Sequence, residues 1–268
     1  MMAGMTAPAS IHGSLGEFAH AAAGWLLGWW RVVHLAAVLF ALALSPSSYS
    51  HGRHRHLLHQ VYLGTAPALL PFTILTSLLG LVLIRIVLVT ALSYGLSQYA
   101  LEMVVRVLVL ELIALTAAMF TALRCSLPLA TEIAGMHTRD RPNVDPQPLA
   151  VEVLPRVAAG VFCMLMLAAV SCVVTLVIAY LLVYGFTPAG FAGYTHTVGH
   201  VFNPAVSLIF GLKIVLFGVT VALMPIAAVL EEPRPGRRAR TSAELRGLVR
   251  MFLVILLIEA ASLVGNYY

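Results

Sequence analysis

Charge is what this sequence has least of. Asp, Glu, Lys and Arg together make up 10% of the 268 residues, against about a quarter in ordinary soluble domains. Long polar stretches are missing as well: the longest, residues 124 to 156, is too short to hold a domain of its own. Cysteine is scarce. Cys125, Cys163 and Cys172 are odd in number and lack metal-ligand spacing, which argues against a disulfide framework and a zinc site and leaves them as small packing residues. The chain also has no Gly-x-Ser-x-Gly, no His-Glu-x-x-His and no phosphate-cradling Gly-rich loop ending in Lys-Ser/Thr. An ATPase cannot be built from it alone. An intramembrane lipid enzyme would need a nucleophile, base or metal constellation that is not visible, and no cofactor or metal is expected on the chain itself.

What is present is apolar: 60% of the residues are hydrophobic and the mean hydropathy is +0.95. A spanning helix needs about 20 predominantly apolar residues, and five segments qualify: Leu63 to Leu92, Tyr99 to Leu123, Val157 to Phe186, Phe202 to Leu230 and Gly247 to Gly265. A sixth, Ala21 to Leu44, carries Arg31 and His34 with Trp25, Trp29 and Trp30 clustered at one end. His20, Gly24, Gly28 and Arg31 form a narrow small-or-polar stripe beside a broad apolar face, the pattern of a helix lying in the headgroup plane. Ala41-Leu42-Ala43 mimics a signal-peptide cleavage site, but no short charged region opens the chain. The expectation is an all-α integral membrane protein. Residues 1–56 would form an N-terminal segment with an interfacial helix and a His/Arg-rich linker, and residues 57–268 a domain of five transmembrane helices.

The net charge of +5 is a topology signal. Segment 45 to 62 holds Arg53 and Arg55; segment 124 to 156 holds Arg124, Arg139, Arg141 and Arg156; segment 231 to 250 holds six arginines, Arg234 to Arg250. The alternate segments 93 to 98 and 187 to 201, and the tail after Gly265, have no Lys or Arg. The positive-inside rule therefore puts the N-terminus and the basic loops in the cytoplasm and the C-terminus outside, with no need for a nucleic-acid partner. His51, His54, His56 and His59 resemble a metal tract by composition, yet beside Arg53 and Arg55 they fit lipid phosphates better. His196 and His200, four residues apart in an outer loop, are a weaker metal or proton-sensing pair.

Charges inside a span cost about 2.5 to 3.5 kcal/mol each on insertion scales and usually face a bundle interior or a wet cavity. Counted from the outer ends at about 1.5 Å per residue, Arg85, Arg106 and Glu259 fall at a similar depth, with Lys213 and Glu111 slightly deeper. Glu102, four residues before Arg106, is placed to pair with it. Either these groups neutralise one another as packing ion pairs, or they line a cavity that takes the polar head of an amphipathic substrate between apolar walls.

The second span and the loop after it resemble the MlaE family of ABC-transporter permeases. Leu110-Glu111-Leu112, Ala122-Leu123-Arg124 and Thr131-Glu132-Ile133-Ala134-Gly135-Met136 follow the order and spacing of that family's R-E-L-G-P, A-G-R and A-E-x-G-x-M elements. Val144-Asp145-Pro146, Leu154-Pro155-Arg156 and Lys213 with Phe217-Gly218 resemble its V-D-P, L-P-R and K-S-x-x-F-G, and Gln60, Tyr62, Gly80 and Val82 fit its first span. The resemblance covers roughly residues 57 to 262. It implies a five-span permease in the bacterial inner membrane that pairs with a second permease subunit, binds a cytoplasmic ABC ATPase carrying the ATP, and works with an MCE-domain substrate-binding protein to move phospholipid or a similar lipid. Under it, Glu111, Lys213, Arg85, Arg106 and Glu259 are candidates for meeting the lipid, and Arg124, Glu132, Arg139 and Asp140 for inter-helix or ATPase contacts. Departures are visible: Leu110 replaces the Arg, Ile113-Ala114 the Gly-Pro, Leu123 the Gly, and Ile86 a Gln. Between Met136 and Val144 the family's E-Q-I-D-A-L-like helix, which contacts the ATPase, is shortened to a remnant, His137 to Asn143. That last departure motivates a second reading, a non-transporting subunit that stabilises a partner permease or anchors an MCE protein.

Overall fold

The computed structural model describes residue 34 and residues 51–96, 99–126, 128, 146–230 and 237–267. The expected interfacial helix lies outside these apart from His34, and so do Glu132, Arg139 and Asp140. Nearly all the described residues are helical, and no strand occurs among them. Helix α1 runs over His51–Ser93. The second span is assembled from α2 (Ala100–Met103), a π-helical stretch Val104–Ile113, α3 (Ala114–Thr121) and a π turn Ala122–Ser126. After it come α4 (Pro146–Tyr184), a short 3-10 turn Pro188–Gly190, α5 (Phe191–Val201), α6 (Pro204–Leu230) and α7 (Arg237–Tyr267).

Among the described residues five helices are long and apolar enough to cross a membrane: Gly64–Ser93, Ala100–Arg124, Pro155–Tyr184, Pro204–Ala228 and Leu245–Asn266. Each agrees with its sequence-predicted segment to within two residues at either end. Three helices overshoot the bilayer. At about 1.5 Å per residue, the 43 residues of α1 and the 39 of α4 are about twice as long as a hydrocarbon core of about 30 Å. Their N-terminal turns, with those of α7, therefore project on the side of the Arg-rich loops.

The turns away from the Arg-rich loops are closed by glycine. Gly95 and Gly185 have φ of 71° and 68°, the left-handed conformation in which a side chain is strained. At the first, Gly95 N–H donates to Leu92 O at 3.1 Å and Leu96 N–H to Ala91 O at 2.8 Å, a Schellman ending that satisfies the last carbonyls of α1. Asn203 starts α6: its Oδ1 accepts the Val206 N–H at 2.8 Å, and Pro204 fills the first helical position, where no N–H is needed.

Helix α1 packs chiefly against α4, and α6 lies between α4 and α7, while the second span touches α1, α4 and α6. The shared core is built from Phe72, Ala117, Ala118, Met164, Leu167, Phe217, Val221, Met251 and Ile255. Small residues allow close approach, which replaces the hydrophobic effect as the association force in lipid. A Cβ added at Gly247 would sit 2.7 Å from Ala228 Cβ, so α6 and α7 meet there almost backbone to backbone. Outward faces remain apolar, as at Leu78, Val89, Leu208 and Leu256.

One element was not legible as a helix in the sequence. Segment 187 to 201 reads as an outer loop, yet α5 occupies most of it. Tyr194, Val198 and Val201, spaced on one helical face, turn inward onto Leu101, Val105 and Leu110 of the second span. The Tyr194 hydroxyl donates to Leu176 O at 2.7 Å. Burial, with smaller contributions from Cys172 and Tyr184, pushes its pKa up to about 12, so this donor stays protonated at neutral pH.

Candidate functional site

Three spans contribute ionic side chains to one point inside the bundle. Lys213, in the third turn of α6, has a side chain only 1% exposed. Its Nζ pairs with Glu111 Oε2 from the second span and lies 2.9 Å from Glu259 Oε2 on α7. The same ammonium donates to Leu110 O at 3.1 Å and stands 5.9 Å from the centroid of the Phe217 ring one turn along α6, within cation–π range. Glu259 Oε2 approaches as an ion-pair partner without the alignment of a hydrogen bond.

The π-helical stretch helps to place the site. At its end the Ala114 N–H donates to Glu111 O, where an α-helix would use Leu110 O. Leu110 O accepts from Lys213. Runs of π-helix are rare and concentrate at functional positions, and this one carries Glu111 near its C-terminal end.

The site holds one cation and two carboxylates. A buried ion pair offsets its desolvation cost only when its geometry and additional hydrogen bonds are good, and Lys213 meets that condition with three oxygen neighbours. With all three side chains ionised the group carries one net negative charge.

Of the five residues expected to meet a substrate, Glu111, Lys213 and Glu259 come together. Arg85 and Arg106 do not. Arg85 is exposed on the outward face of α1. Arg106 is half-exposed and pairs with Glu102, as their spacing predicts: Nε is 3.1 Å and Nη2 3.0 Å from Glu102 Oε1. Depth along a span was readable from the sequence, but the direction each arginine faces was not. Arg124 is exposed at the end of the second span, where the Arg-rich side begins. Sequence reasoning missed the Leu110 carbonyl, which no side-chain pattern reveals. It also left Phe217 without a role at the site, although Phe217 lies four residues after Lys213.

The geometry joins Glu111 to Lys213, two of the residues on which the motif pattern rests. The chain also matches the family model described as Permease MlaE over residues 57–264. The chain belongs to the MlaE permease family. It is accordingly a permease of ABC-transporter type, a multi-pass membrane protein with a role in transport. No curated protein matches the chain.

Removing the central cation has a large expected cost. Lys213→Met leaves two carboxylates unpaired inside an apolar bundle and should destabilise the detergent-solubilised protein by about 3–5 kcal/mol. Glu102→Gln, at the half-exposed pair, should cost less than about 1 kcal/mol. Equilibrium unfolding of the two variants checks the contrast, and equal losses would show that Lys213 is not the buried centre described.

Proposed function

We propose that this permease moves a phospholipid or similar hydrophobic lipid between the inner membrane and the outer envelope. It does so as one of two permease subunits, either two copies or a related pair. A separate cytoplasmic ABC ATPase hydrolyses the ATP, and an MCE-domain protein carries the lipid on the outer side. The observation that supports this reading is the Lys213 site: a charged centre held jointly by the second, fourth and fifth spans within a wall of apolar side chains.

The physical logic follows from where the partners sit. Each of the three ionic residues rides on a different helix, so relative movement of the spans must break or exchange ion-pair contacts. ATP binding on the partner acts only through differential contacts with two arrangements. An arrangement that parts the spans exposes the ionic groups, and a lipid headgroup supplies the replacement partners while its tails lie along the apolar walls. Glu111 and Lys213 are the headgroup-facing residues in this account, together with Glu259. Arg85 and Arg106 belong to the approach from the membrane and the outer mouth. Arg124, Glu132, Arg139 and Asp140, on the Arg-rich side, contact the ATPase or tie helices together there.

In this reading the Arg-rich loops and the N-terminus face the cytoplasm, and the C-terminus is periplasmic. A periplasm-active reporter fused after Tyr268 should be active and the same reporter inserted at residues 234–240 inactive. The reverse pattern would invert the proposed direction of coupling.

Glu111→Ala should lower lipid transfer by at least about tenfold, the scale of one lost charge-assisted contact, while insertion and assembly persist because Glu259 still neutralises Lys213. Transfer of labelled phospholipid from vesicles containing the assembled complex measures it. Unchanged transfer by a correctly inserted variant would remove Glu111 from the lipid path.

A further inference from the structure

A polar ladder runs outward from the ionic site along one face of α7. Glu259, Ser262 and Asn266 are three and seven residues apart, a spacing that stacks them on the same side of a helix. Over those seven residues the ladder covers about 10 Å, from the ion-paired group to the outer end of the span. The two outer rungs each carry a covered oxygen without a hydrogen-bond partner, Ser262 Oγ and Asn266 Oδ1, while Glu259 Oε2 is held by Lys213 as an ion pair without the alignment of a hydrogen bond. Ser262 is more than nine-tenths buried.

Leaving the Ser262 and Asn266 oxygens unpaired costs about 1–3 kcal/mol each, and more in a bilayer, where water does not compensate. Yet both lie in a row with the ion-paired Glu259 on one helix. The chemistry they share is acceptance: a carboxylate oxygen, a hydroxyl oxygen and an amide oxygen. The charge balance beside them has the same sense. Lys213 is already held by two carboxylates and one carbonyl, so the site has no spare cation for a phosphate, and with both carboxylates ionised it carries one surplus negative charge.

We propose that this ladder selects phospholipids whose headgroup ends in a primary amine. The inference rests on the lipid-permease reading above and deepens it. A primary ammonium supplies the missing positive charge and three N–H donors, which the row of acceptors can take up in turn as the headgroup passes between Asn266 and Glu259. The phosphate does not discriminate, because every glycerophospholipid carries one. A quaternary ammonium brings the charge without N–H donors, and a glycerol headgroup brings donors without the charge. Both therefore match the ladder less well than a primary ammonium.

The experiment reconstitutes the full-length protein in nanodiscs of equal parts phosphatidylethanolamine, phosphatidylglycerol and phosphatidylcholine. The protein is then re-extracted in mild detergent, and the lipids that stay bound are quantified by mass spectrometry. The wild type should retain the ethanolamine lipid over each of the others by roughly tenfold, a ratio equivalent to about 1.4 kcal/mol. Glu259→Gln, which keeps the shape and removes the surplus charge, should bring the ratio to near one. Asn266→Leu, two turns along α7 from Glu259, should lower it without disturbing the ion pair, and so serves if Glu259→Gln folds poorly. Retention of all three lipids in equal amounts, or a preference for the glycerol or choline lipid, would overturn the selectivity and leave the permease reading standing. Retention of no phospholipid by the wild type would overturn both.

Discussion

A single ammonium between two carboxylates, on three different helices and inside a bundle made for lipid, is the constraint on which the rest of this structure turns. In water such a group would be worth little. In the bilayer each of its charges is costly alone, so the three helices that carry them are tied to one relative position. The surrounding packing follows from that requirement. The second span passes through a π-helical stretch where it delivers Glu111 and the Leu110 carbonyl to Lys213. Helices α6 and α7 approach closely at Gly247 and Ala228, which holds their outward continuations, with Lys213 and Glu259, side by side.

The same constraint accounts for how a transport step can be driven from outside the chain. A well-packed apolar interface changes its contacts by small amounts when helices shift. An ionic centre shared among three helices is more nearly bistable: its partners are either within ion-pair reach or require replacements. A headgroup that provides those replacements makes its binding conditional on the arrangement of the spans, which is the differential affinity a conformational cycle needs. The unpartnered Ser262 and Asn266 oxygens on α7 extend this logic, because they too are costly in the arrangement described and a donor from elsewhere satisfies them.

Much of the architecture was legible in the sequence because bilayer physics leaves few alternatives. Long apolar segments set the spans to within two residues at either end, and the i, i+4 spacing of Glu102 and Arg106 anticipated their pairing. Counting depth from the outer ends placed Lys213, Glu111 and Glu259 near one level, and these three do meet. The limit of that method is azimuth. Arg85 lies at a comparable depth but faces outward, while its neighbour Ile84 is wholly buried. The first span is apolar nearly all round, so no hydrophobic face told the two apart. The π-helical stretch adds a second obstacle, since a helical wheel drawn at α periodicity turns its residues to the wrong bearing. Helix α5 escaped notice for a simpler reason. It is 11 residues long, rich in glycine and threonine, and its inward face consists of only a few residues.

The account stands or falls on whether Lys213 and Glu111 act as one unit. A double-mutant cycle measures this directly: Lys213→Met, Glu111→Leu and the pair together, each followed by unfolding in the same detergent. Residues that share a buried ion pair should show a coupling energy of about 2 kcal/mol or more, with the double variant more stable than the two single losses imply. Additive losses, agreeing within about 0.5 kcal/mol, would mean that the two side chains do not meet in the membrane, and the ionic centre described here would not exist.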